Sequence, residues 1–202
     1  MKHILILFII GCFALSCKAQ TLIVDLDTYI GDKPQGSYSK DVNNELNKFV
    51  GTWEYTNGNT LLKIILYKTQ MNYDGEEFYF DDLRGEYSYI ESGIEIVNTL
   101  PNLINDPENH GDRNILVQSI LSNNDMPPCD DCSSEERRVS LGFYDPERDY
   151  LNYTITLRYL VGQTNPEKME VTIFESDSAI LPYEGAPETI RVPSGTYLME
   201  KQ

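Results

Sequence analysis

The run Leu151-Asn152-Tyr153-Thr154-Ile155-Thr156-Leu157-Arg158-Tyr159 constrains the fold more than any other part of the chain. Its odd positions are all apolar or aromatic, and its even positions are all polar. Successive side chains of a strand point to opposite faces, so this pattern specifies a strand with one buried face and one wet face. The same period begins at Val50 and predicts strands over 50–56, 60–69, 77–81, 86–90, 94–99, 114–121, 138–144, 150–160, 168–175 and 196–199. The 14 Tyr and 7 Phe residues suit that reading, because aromatic side chains favour strands.

Short turns join these runs. Asn57-Gly58 is a strong hairpin signal. Ser92-Gly93 and Asp145-Pro146-Glu147-Arg148 read as further turns, and Gly85 predicts a bend or bulge that lets a sheet curl. Nine or ten antiparallel strands in a meander hide their edges best by closing up. Ahead of them, Ser39 is placed to cap a short helix over 40–48, with Val42, Leu46 and Phe49 on one side. So short a helix must pack on something to persist. Gly51-Thr52-Trp53 then resembles the Gly-x-Trp that opens the first strand of lipocalins, where the Trp closes the barrel base against the preceding segment. The expected fold is all-β: an antiparallel meander forming a lipocalin-like barrel or strongly curved sheet, preceded by a short helix.

The amino terminus reads as an address. Lys2 and His3 precede the apolar run ILILFIIGCFAL, residues 4–15. That is about half of the ~20 residues a membrane-spanning helix needs, and it fits the hydrophobic region of an export signal. Ala14-Leu15-Ser16-Cys17 resembles the bacterial lipobox, with Ala14 where a Leu is usual. Residues 1–16 are thus expected to be a signal peptide, Cys17 the lipidated residue, 17–38 a tether and 39–202 the β domain. Ser16-Cys17-Lys18-Ala19-Gln20, Asp41-Val42-Asn43-Asn44-Glu45-Leu46 and Phe49-Val50-Gly51-Thr52-Trp53 together resemble an uncharacterised family of small Bacteroidetes lipoproteins. That resemblance implies diacylglycerol on Cys17 and, with no acidic residue before Asp25, an outer-membrane position facing the periplasm. It implies no activity.

Charge narrows the partners. The chain has 16 basic and 32 acidic residues, a formal charge of −16, and cleavage would remove only Lys2. Binding to nucleic acid through phosphates needs basic patches, so that class is excluded. An anionic membrane surface would repel the domain, which leaves the lipid as its membrane contact. Cys129 and Cys132 are expected to form a local disulfide in an oxidising envelope. Asp130 and Asp131 between them oppose a reactive thiolate, and zinc would need two more ligands.

The acidic and amide residues Asp106, Glu108, Asn109, Asp112 and Asn114 invite comparison with calcium loops, but their spacing fails the EF-hand pattern. Glu76, Glu77, Asp81 and Asp82 form a second acidic group. The mature chain has one histidine, His110, with no nucleophile motif beside it, and neither a Gly-x-Ser-x-Gly elbow nor a phosphate-binding glycine loop occurs. No cofactor and no metal is expected. Trp53, Tyr55, Tyr87, Tyr89, Tyr153 and Tyr159 are expected to face inward, as core or as the lining of a ligand cavity.

Three functions follow as expectations. The first is a non-enzymatic envelope module that meets an unknown partner through acidic loops 100–113 and 122–137. The alternatives are a lipocalin-like binder of a small apolar ligand and a carboxylate-dependent hydrolase.

Overall fold

The computed structural model describes residues 21–75, 77–105, 113–176 and 183–202. Residues 1–16, read as a signal peptide, Cys17, Glu76, Asp106, Glu108, Asn109, His110 and Asp112 lie outside the described residues. Eleven strands are present among those described: β1 (Ile23–Asp25), β2 (Tyr38–Lys40), β3 (Gly51–Asn57), β4 (Thr60–Tyr73), β5 (Tyr79–Glu91), β6 (Ile94–Asn98), β7 (Ile115–Leu121), β8 (Arg138–Phe143), β9 (Tyr153–Thr164), β10 (Glu167–Glu175) and β11 (Gly195–Lys201). One helical turn, α1 (Asn102–Asn105), follows β6, and short 3-10 turns occupy Ile30–Asp32 and Asn47–Phe49. No helix among the described residues is long and apolar enough to cross a membrane.

Eight strands close a barrel in the order β5-β4-β3-β11-β10-β9-β8-β7, and β7 returns to β5. Neighbours are antiparallel throughout, so the all-β, lipocalin-like expectation holds. The strand at Tyr153 follows its alternation except at Thr156, a polar position that is buried. Tyr153, Ile155 and Leu157 are buried in the core, while Thr154 and Arg158 point outward.

The two runs expected at 77–81 and 86–90 are a single strand, β5. Gly85 does not break it, because the chain stays extended there and pairs with Leu66 on β4. A Cβ at Gly85 would collide with the Ile65 carbonyl and Leu66 Cδ2. Glycine is required for close approach of backbone rather than for a turn.

The helix expected over 40–48 is a correction. Only Asn47–Phe49 is helical, as one 3-10 turn, and Ser39 lies in β2. Two causes are visible. Asn44 takes a left-handed φ of 57°, which ends any α-helix. Asp41 accepts the backbone N–H groups of Glu45 (2.7 Å) and Leu46 (3.1 Å), so a side chain replaces the helical ladder. Leu46 and Phe49 still bury fully, while Val42 is exposed. The segment read as a tether also joins the sheet, since β1 pairs parallel with β2, and β2 pairs parallel with β5.

Candidate functional site

Both barrel ends are covered. At the base, Leu46, Phe49 and Trp53 have no exposed surface. The Trp53 indole N–H donates to the Phe49 carbonyl at 2.8 Å, the Lys201 ammonium sits 5.3 Å over its ring, and Tyr159 meets it edge-on at 6.4 Å. Gly51 holds a φ of 134°, and a side chain there would press on Lys201 Cε. The expected role of Gly51-Thr52-Trp53 in closing the base is therefore observed.

At the opposite mouth, residues 144–152 and 183–194 cross over the strands. Asp145, 1% exposed, accepts from Arg191 Nη2 (2.6 Å), Arg191 Nε (3.0 Å) and the Arg191 backbone N–H (2.9 Å). Burial works to raise the Asp145 carboxyl. The hydrogen bonds from Arg191 and the Glu147 backbone outweigh it and hold the group below its usual value.

The barrel axis is filled with side chains. Leu62, Ile64, Leu83, Tyr87, Ile115, Phe143, Ile155, Met169 and Met199 belong to one contiguous buried cluster. Of the six aromatic residues expected inside, Trp53, Tyr87, Tyr89 and Tyr153 are buried in it, and Tyr55 and Tyr159 pack against it. They serve as core. The Tyr87 ring lies 4.4 Å from that of Phe143, and its hydroxyl donates to the Tyr144 carbonyl at 3.0 Å. Tyr89 donates to Glu91, and Tyr55 meets Tyr197 edge-on at 5.0 Å. The Tyr197 hydroxyl is pushed up to about 12 by burial and by the neighbouring phenols.

Among the described residues, the hollow with the most apolar lining is in the wall. The free edge of β5 is shared by three partners: β2 at Tyr79 and Phe80, β7 at Gly85, and β6 from Ser88 to Glu91. Register pairs on this edge stop at Phe80 and resume at Gly85. Here β7 turns away, and a cleft of about 300 Å³ opens. Its apolar walls are Leu26, Phe78, Phe80, Leu116 and Ile120; Lys33, Ser39, Asp74, Asp81, Asp82, Arg84 and Ser119 complete it. That volume is at the low end of small-molecule sites, roughly 300–1,000 Å³.

Charges surround this gap on both faces of β5. Asp81, 1% exposed, accepts from the Tyr38 hydroxyl and from the backbone N–H groups of Asp41 and Met71, each at 3.1 Å. Burial first, and then Asp81, push the Tyr38 hydroxyl up to about 12. Lys68 joins the group, 2.7 Å from Asp41 and 3.9 Å from Asp81. A bulge between Thr69 and Asn72, with Met71 at a φ of 51°, turns the Met71 N–H toward Asp81.

On the outer face, Asp82 accepts from the Thr69 hydroxyl on one oxygen and from Arg84 Nε at 2.8 Å on the other. Further along, Glu86 accepts from Asn114 at 2.7 Å and lies 3.7 Å from Arg113. Asn114 is thus a ligand of Glu86, and Asp81 and Asp82 point to opposite faces rather than forming a cluster with Glu77.

The disulfide expected between Cys129 and Cys132 is present, with Cα atoms 5.3 Å apart. Its sulfurs, near Asp131, are bonded to each other and offer no thiolate to a metal. The loop around it is pinned. Arg138 donates to the carbonyls of Ser122, Asp125 and Pro127 at 2.6–2.9 Å, and Arg158 reaches Asp131, Glu136 and Glu170.

Sequence reading missed Lys33, Asp41, Lys68, Arg84 and Glu86. One signal was present: Asp81-Asp82-Leu83-Arg84-Gly85-Glu86 places four charges inside a strand. A strand with one wet face does not need them on both faces.

The fold and its wall cleft define the class of protein: a closed, eight-stranded, lipocalin-like β-barrel compatible with a binding role. The chain belongs to DUF6705, a family of unknown function whose model matches residues 1–202. No curated protein and no solved structure matches it.

Proposed function

We propose that this protein is a non-enzymatic lipoprotein of the cell envelope that binds a small ligand in the wall cleft between β5 and β7. One observation supports this most: the barrel axis is filled by its own side chains, while the wall holds a cleft of about 300 Å³ with mixed apolar and charged lining. Ligand sites commonly combine an apolar body with a few fixed polar groups. The lipocalin-like binding role is kept, and the site moves from the lumen to the wall.

Anchoring through Cys17 completes the reading, with the domain facing the periplasm from the outer membrane. β1 begins at Ile23, six residues beyond Cys17. Six extended residues span at most about 20 Å, so the lipid holds the barrel close to the membrane surface. Cys17→Ser should move the protein from the membrane fraction to the soluble fraction with its β-sheet circular dichroism unchanged. Retention in the membrane fraction would remove the lipoprotein reading.

The binding reading is tested with Ile120→Trp, which fills the cleft from β7. A panel of small amphiphiles should shift methyl resonances of Leu26, Leu116 and Ile120 in the parent protein and leave the variant unshifted. Equal shifts in both proteins would place binding elsewhere.

A second reading concerns a protein partner. The loop at 122–137 is held by the disulfide, Arg138 and Arg158, and it presents Met126 at 76% exposure beside Asp125. A rigid acidic loop with an exposed apolar residue suits a partner surface. Capture of a partner that survives replacement of Met126 and Asp125 would exclude this loop as the contact.

A further inference from the structure

The wall cleft has walls of two kinds, and the hydrogen-bond inventory separates what it already holds from what it lacks. Its buried aspartates are supplied. Asp81 has three donors, and both Asp82 oxygens have one. Its cations are in the opposite condition. Arg84 is 6% exposed and donates through Nε to Asp82. Among the described residues, no protein acceptor meets its two Nη amino groups, and the side chain is part of the cleft lining. Lys33, also in the lining, has no carboxylate within ion-pair distance among the described residues.

The Arg84 Nη groups have no protein acceptor among the described residues and belong to the cleft lining, so a ligand oxygen that replaces water there gains a charge-assisted hydrogen bond beside an otherwise buried side chain. The planar guanidinium fork matches carboxylate and phosphate oxygens. The surplus is notable in a chain of formal charge −16, where acidic partners outnumber basic ones two to one. Burial also lowers the Lys33 ammonium from its usual value, consistent with a cation whose environment is already partly dry. Around this polar corner stand Phe78, Phe80, Leu116 and Ile120.

We propose that the cleft takes an amphipathic anion: a carboxylate or phosphate monoester head on Arg84, with Lys33 beside it, and a short apolar body against Phe80, Leu116 and Ile120. This rests on the wall cleft being the binding site, and it specifies the chemical class of the occupant. Asp74, Asp81 and Asp82 in the lining keep their charge, but their oxygens are engaged by donors of the protein itself, and Asp82 lies against the Nε edge of Arg84, which leaves Arg84 and Lys33 as the groups with donors to spare. The free edge is the one offered to the ligand. An apolar molecule without a head would leave the Nη groups unpaired. A cationic amphiphile would meet Arg84 and Lys33 directly.

The test measures affinity by calorimetry on the full chain with four probes of one tail length: decanoate, decyl phosphate, decanol and decyltrimethylammonium. The anions are expected to bind about tenfold or more tighter than decanol, the usual scale of a charge-assisted hydrogen bond. The two anions are compared to separate a carboxylate from a phosphate head. Arg84→Gln should abolish the anion preference while leaving decanol affinity within about twofold. Because that variant leaves Asp82 without its ion pair, Arg84→Gln with Asp82→Asn serves as the folded control, its stability checked by thermal melting.

Equal affinity for all four probes, each lost in Ile120→Trp, overturns the anion inference and leaves the cleft as the site. Tightest binding of decyltrimethylammonium overturns the anion inference in favour of the aspartates. No binding of any probe, or binding that Ile120→Trp does not change, overturns both readings.

Discussion

The barrel shuts along two seams, and they are built differently. One joins β11 to β3 through Glu200 with Glu54 and Lys201 with Trp53, extended by the Gln202 N–H to the Thr52 carbonyl at 3.0 Å. The other joins β7 to β5 through the single pair Gly85 with Ile115. Both are short, yet the first is sealed and the second gapes into a cleft. The difference lies in what backs each seam. Behind β3–β11 stands a large apolar side chain, Trp53, with Lys201 above it. Behind β5–β7 stands a row of charged residues, Asp82, Arg84 and Glu86, buried by the segments that cross over them. Aromatic packing closes a wall by itself, while charge must be satisfied by partners, and partners take space.

Four variants test this contrast. The largest effect belongs to the sealed seam: Trp53→Ala should cost about 3–5 kcal/mol, the range for truncating a buried Trp, read by urea unfolding. A loss near that of a surface substitution would mean that the seam is held by its few backbone pairs instead.

Next comes the strap that spans both seams at the far mouth. Arg191, just ahead of β11, holds Asp145, just after β8, and its Nη1 reaches the Ile96 carbonyl on β6. Asp145→Asn should cost roughly 2–3 kcal/mol near neutral pH, somewhat below the full range for breaking a buried ion pair because Arg191 keeps some exposure. The folded carboxyl lies below the ordinary aspartate value of 3.8, so its contribution is present above that pH and is lost as pH falls through the folded value. Parent and variant stabilities should therefore converge as the pH falls through the folded value. A difference that stays constant from neutral pH down to acid unfolding would show that Asp145 acts through shape and not charge.

The open seam gives a smaller effect. Gly85→Ala should cost about 1–3 kcal/mol, because the methyl group meets the Ile65 carbonyl and Leu66. Full stability would mean that β5 can back away from β4 at this point, and that the cleft is wider than the contact suggests. Least affected should be the loop outside both seams. Cys129→Ser with Cys132→Ser closes no large ring and should cost about 2 kcal/mol or less, with the loop still held by Arg138 and Arg158.

The two seams also differ in how legible they were. Gly51-Thr52-Trp53 announced the sealed one, because a local motif and a large apolar residue mark the base of such a barrel. The open one carried a partial signal at Asp81-Asp82-Leu83-Arg84-Gly85-Glu86. There Gly85 pointed to a bend, so two short runs were expected where one long strand exists. The reason is that the partners of the outer face of β5, Thr69 for Asp82 and Asn102, Arg113 and Asn114 for Glu86, are distant in sequence. The helix expected over 40–48 failed for a related reason. Asp41 found the N–H groups of Glu45 and Leu46, and Lys68 came from another strand to pair with it. Of the six aromatic residues expected inside, Trp53, Tyr87, Tyr89 and Tyr153 are buried in the core and Tyr55 and Tyr159 are partly buried against it, and period alone does not say whether an inner face encloses a cavity or fills it.

Sequence alone determined the strand class, the inner and outer faces, the hairpin turns, the base motif and the disulfide, because each depends on neighbours within a few residues or on a strict period of two. Tertiary structure decided that the lumen is full and the wall is open. That outcome depends on summed side-chain volume across eight strands and on where β7 parts from β5, and neither quantity is local to any stretch of the chain.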